Sequence, residues 1–107
     1  MSVNFVVPAS FRLASAESNE INWGSAEFFK YSTAVNTTFT FTNLPQAKTI
    51  LLLVENTSTT FNRTMTFPGT IRWQAGSAEG LVFADTATLF TFSKVGTDII
   101  GAASRDY

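Results

Sequence analysis

Polar and apolar residues alternate through much of this chain. Thr38, Thr40 and Thr42 fall in one phase, and Val35, Phe39 and Phe41 in the other. A period of two predicts a strand over residues 35–42 with its aromatic phase turned to a core. Met65 and Phe67 alternate in the same way with Thr64 and Thr66, and Ile71 and Trp73 resume the inward phase after the Pro68-Gly69 turn. Between these segments, Ile50-Leu51-Leu52-Leu53-Val54 is apolar in both phases. A strand of that kind is either central between two layers or part of a subunit interface.

The remaining pattern fills in short strands and turns. Residues 3–7 read as an apolar strand stopped by Pro8, which residues 11–14 resume. A polar, aperiodic loop or short helical turn surrounds Trp23-Gly24, and a strand covers 27–32. Residues 56–62 form a polar connection, 74–80 a small-residue loop, and 81–83 a further strand. Segments 86–94 and 97–102 pair as a closing hairpin around Val95-Gly96. About eight short strands joined by turns predict an all-β fold, an antiparallel β-sandwich or jelly roll. One domain over residues 1–107 fits a chain of this size, with residues 1–14 as an N-terminal arm or first strand.

Composition narrows the partners. Only 14% of the residues are charged and the net charge is −1, so the basic excess that nucleic-acid binding needs is missing. A surface so poor in charge predicts self-association. Cysteine is absent, which excludes disulfides and thiolate chemistry. The opening M-S-V-N-F-V-V-P lacks a signal-peptide pattern, and no segment reaches the ~18 apolar residues of a membrane helix. Synthesis in a cytoplasm and no membrane partner are therefore expected. The sequons at Asn36, Asn56 and Asn62 read as coincidence in a Thr-rich chain.

Catalytic groups are scarce. Without histidine or cysteine, a Ser-His-Asp triad, a Cys-His pair and the usual zinc sites are excluded. Glu17, Glu20 and Glu27 near Trp23 are the one carboxylate grouping that glycosidase chemistry could use, and solvated loop acids are the simpler reading. Asp85, Asp98 and Asp106 lack calcium-loop spacing, and no phosphate-binding glycine motif occurs. Neither a cofactor nor a metal is expected. Trp73 is in phase with the core, which leaves Trp23 as the candidate exposed aromatic contact, suited to stacking on a sugar.

The segments T-F-T-F-T-N-L-P-Q-A-K-T-I-L-L-L-V, N-R-T-M-T-F-P-G-T-I-R-W-Q-A-G and L-F-T-F-S-K-V-G-T-D-I-I-G-A occur in that order over residues 37–102. Together they resemble a β-sandwich module of tailed-bacteriophage virion proteins. Ala47 replaces a glycine of that pattern, Gln74-Ala75-Gly76 a Gly-Gly turn, and Val95-Gly96 an Asp-Gly turn. The resemblance implies a non-enzymatic virion protein. A free-standing small module implies a capsid decoration or cement protein, a homo-oligomer with the trimer favoured, bound to the major capsid protein on the outer shell. The alternative is a receptor- or carbohydrate-binding module of a tail fibre or appendage, and a small hydrolase ranks third. Leu51 and Leu53 are the oligomer-interface candidates. Val3, Phe5, Val7 and Phe11 are the candidates for capsid or partner contact through the arm.

Overall fold

The computed structural model describes residues 13–15, 18–74 and 80–104, which carry eleven strands and no helix. In chain order these are β1 (Leu13–Ser15), β2 (Glu20–Asn22), β3 (Phe28–Thr33), β4 (Thr37–Thr38), β5 (Thr40–Thr42), β6 (Ala47–Asn56), β7 (Arg63–Thr66), β8 (Ile71–Trp73), β9 (Leu81–Val82), β10 (Ala87–Val95) and β11 (Asp98–Ser104). A six-stranded sheet has the order β1-β3-β6-β10-β11-β8, with β2-β5 and β4-β7-β9 as two smaller sheets. The doubly apolar strand is thus central, with β3 on one side and β10 on the other.

The all-β expectation holds, but the pairing is mixed rather than antiparallel throughout. β6-β10, β10-β11 and β7-β9 are antiparallel, whereas β1-β3, β3-β6, β8-β11, β2-β5 and β4-β7 are parallel. Parallel neighbours require crossover connections. Here β3 and β6 are joined through residues 34–46, which leave the large sheet to form β4 and β5 before returning.

One face of the large sheet is buried. Phe29 of β3, Ile50, Leu52 and Val54 of β6, Phe90 and Phe92 of β10, Ile99 of β11 and Ile71 of β8 all belong to the core cluster. The small sheets cover that face with rings. Phe67, which follows β7, reaches Phe90 at 4.9 Å and Phe92 at 5.0 Å between centroids, and stacks on Phe39 at 5.1 Å. Phe41 meets Phe92 edge-on at 5.1 Å. Such aromatic pairs contribute about 0.5–1.5 kcal/mol each beyond their buried area. Gly101, opposite both Phe92 and Trp73 in register, leaves space for the Trp73 ring: a Cβ there would meet its Cε3 and Cζ3 at 3.1 Å.

Three local expectations change. The strand over 35–42 is divided, since β4 pairs with β7 while β5 pairs with β2, and Phe39 lies between them, buried. Val35 does not share the inward phase of Phe39; it precedes β4 and is 61% exposed. The loop or short helical turn expected around Trp23-Gly24 contains β2. Of residues 1–14, Leu13 and Ala14 belong to β1, which pairs within its own chain in parallel with β3. Val3, Phe5, Val7 and Phe11 lie outside the described residues.

Candidate functional site

Alternation sends every second residue of the large sheet away from the core. On β6 the outward residues include Thr49, Leu51, Leu53 and Glu55, and on β10 they include Leu89, Thr91 and Ser93. Register places these side by side across the sheet: Phe28, Leu51, Thr91 and Ala102 form one row, and Lys30, Leu53, Leu89 and Ser104 the next. Leu51, Leu53 and Leu89 are half-buried and stand outside the core cluster. Ile100, in register with Ser93, is 47% exposed.

Several polar groups around these leucines are paired within the chain. The hydroxyls of Thr49 and Ser93 lie 2.9 Å apart. Lys30 Nζ is 3.3 Å from Glu55, whose carboxylate also accepts a hydrogen bond from Ser32 Oγ at 2.9 Å. The Ser32 hydroxyl first, then Lys30, hold the Glu55 carboxyl below its ordinary value. At the far side Arg72 Nε lies 3.6 Å from Asp98. The face therefore presents a leucine centre between charges that neutralise each other, and covering it strands few unpaired groups.

Trp23 is not a surface aromatic. Its backbone N–H donates to the Thr42 carbonyl at 3.0 Å, extending the β2-β5 pairing by one residue. That extension keeps Trp23 in phase with buried Ile21, and both are fully buried. The ring meets Phe41 edge-on at 5.4 Å. The sequence carries only an Ile-x-Trp spacing for this strand, too short to establish a period.

The acidic residues are engaged separately. Glu27 pairs with Lys48 at 2.8 Å, and Glu20 accepts a hydrogen bond from the Thr42 hydroxyl at 3.4 Å; Glu17 lies outside the described residues. Asp85 is exposed with φ of 56°, and Asp106 lies outside the described residues. Among the described residues, no group of three or more His, Cys, Asp or Glu is placed to hold a metal ion. One open cavity of about 410 Å³ is lined by residues 64–69, Ile71, Trp73 and Gly80, none of them ionisable. A second, of about 270 Å³, lies at Glu55, Asn56 and Asp85.

The sequon asparagines hold loops. Asn36 Oδ1 accepts a hydrogen bond from Thr64 N at 2.9 Å, and Asn62 Oδ1 one from Ala84 N at 2.9 Å. Buried Asn56 accepts from Ser58 N at 3.0 Å and donates to the carbonyls of Phe61 and Val82 at 2.9 and 3.1 Å. An amide that makes all three bonds while buried stands in for backbone pairing where the strands diverge.

The fold and this face define an all-β protein whose large sheet presents a leucine centre flanked by paired charges. No family model, curated protein or solved structure matches the chain.

Proposed function

We propose that the chain is a non-enzymatic structural protein of a phage virion, a capsid decoration or cement protein that associates with itself and binds the outer shell. In this reading the large and small sheets are the two layers of a β-sandwich. The observation that carries it is the outer face of the large sheet, where Leu51, Leu53 and Leu89 adjoin within a neutral surround. The low charge of the chain and its resemblance to virion modules support the same reading. Leu51 and Leu53 lie in the subunit interface, a trimer is the favoured oligomer, and the major capsid protein is the partner. Several weak shell contacts per oligomer then suffice, because linked contacts multiply their affinities. The protein is made in the host cytoplasm and resides on the virion. The alternative of a glycan- or receptor-binding appendage module loses Trp23, the residue that carried it.

Light scattering over a range of concentrations, followed by co-sedimentation with shells lacking the protein, tests the proposal. A stable oligomer that sediments with the shells is expected. A monomer that stays in the supernatant overturns it.

A further inference from the structure

At the end of the molecule where β6 finishes, the connecting loops are fixed by side chains. Asn56 anchors the 56–62 loop, Asn36 ties the β3-β4 turn to Thr64, and Thr57 N donates to the Thr33 carbonyl at 2.9 Å. On this braced end stand Phe61 and Val35, 59% and 61% exposed. Arg63 accompanies them, its guanidinium carbon 5.2 Å from the centre of the Phe61 ring.

Arg63 is the unusual member. Its Nε is shielded from water with no hydrogen-bond partner, and its guanidinium forms no ion pair or hydrogen bond with any described residue. A half-buried cation without an acceptor is costly, and a planar guanidinium is best satisfied by a carboxylate that takes two of its N–H groups. The acids at this end do not supply one: Glu55 is held by Lys30 and Ser32, and exposed Asp85 makes no ion pair with it.

We propose that this end docks a segment of another protein in which a carboxylate stands beside an apolar side chain. The carboxylate accepts from the Arg63 guanidinium, and the apolar side chain covers Phe61 and Val35. Arginine beside an exposed aromatic ring is a frequent source of binding energy at protein interfaces, and loops already braced lose little freedom on docking. A nucleic acid is disfavoured by the net charge of −1. A sugar acid is disfavoured because neither cavity described above is lined by Phe61, Arg63 or Val35. The site extends the reading above and rests on it only in taking the partner to be a protein; it lies away from the leucine face and is read out separately from self-association.

The test is a titration of the whole chain with acetyl-Ala-Asp-Leu-Ala-amide and with its Asn counterpart, following the Arg63 Nε–H resonance by NMR at low salt. The Asp peptide shifts that resonance saturably and binds about fivefold tighter than the Asn peptide. Arg63→Gln removes the preference, whereas Phe61→Ala weakens both peptides and keeps it. Arg63→Lys, which retains the charge without the planar fork, shows a reduced preference and serves if Arg63→Gln does not fold. Equal binding of the two peptides, or no shift at Arg63, overturns the proposal. Tighter binding of N-acetylneuraminic acid than of the Asp peptide overturns the assignment to a protein partner.

Discussion

Glu27 and Lys48 lock the parallel pairing of β3 with β6. The Glu27 carboxylate lies 2.8 Å from Lys48 Nζ, while the Glu27 carbonyl accepts a hydrogen bond from Leu51 N at 2.9 Å. Lys48 also donates to the Trp23 carbonyl. Side chain and backbone thus set the same register, Phe28 beside Leu51, and hold the Trp23 turn against the sheet. Removing Lys48 takes away a counter-charge of the shielded Glu27 carboxylate and the donor to the Trp23 carbonyl.

Lys48→Met therefore destabilises the protein by about 2 kcal/mol, less than the loss for a fully buried pair because both side chains retain some exposure. Urea unfolding monitored by Trp fluorescence checks this. An unchanged midpoint would show that the pair does not hold the crossover.

Gly101→Ala crowds Ile71 Cγ2 at 2.9 Å and the Trp73 ring at 3.1 Å, and costs about 1–3 kcal/mol. Gly69→Ala is the control, because nothing lies within 4 Å of its added methyl. Thermal melts of the two variants should separate clearly, with Gly69→Ala close to the parent.

Asn56→Ala removes three hydrogen bonds inside the structure and lowers stability by about 2–3 kcal/mol. Hydrogen exchange should locate the loss in the 56–62 loop and β9. Protection of those amides equal to the parent's would contradict the bracing role.

Glu55 provides a pH test. Its carboxyl is held below 4.5 in the folded chain, chiefly by Ser32 and then by Lys30. The stability it contributes is thus present above 4.5 and is lost as the pH falls through the lowered value. Glu55→Gln should weaken the acid dependence of the urea midpoint and leave a small difference at neutral pH, since the pair is exposed. An acid limb identical to the parent's would remove Glu55 from the account.

Long, regular strands were legible in the sequence, and the crossings were not. The β10-β11 hairpin and the inward phase of Met65, Phe67, Ile71 and Trp73 follow from periodicity alone, whereas the central place of β6 was one of two alternatives its doubly apolar pattern left open. Parallel pairings were hidden because alternation specifies which face a residue takes, not which strand lies beside it. Residues 35–42 read as one strand because the change of partner at Phe39 leaves the Thr/Phe phase intact. Trp23 was misplaced because β2 has only three residues, too few for a period to show among polar neighbours. The outward turn of Leu51 and Leu53 was hidden because a strand apolar in both phases does not say which phase meets the core; Ile50, Leu52 and Val54 take that side. Arg63 left no signal, since an unpaired cation looks like any other until its surroundings are known.

The most direct measurement of the central claim is the solution mass of the parent chain and of a Leu51→Lys/Leu53→Lys variant by light scattering at matched concentrations. Both leucines point away from the core cluster, so the variant should fold with a far-UV spectrum like the parent's. The account predicts an oligomeric parent and a variant reduced to monomer, because two lysines placed in a covered apolar interface would be buried without partners. A parent that is monomeric at every concentration, or a folded variant that keeps the parent's mass, would contradict it.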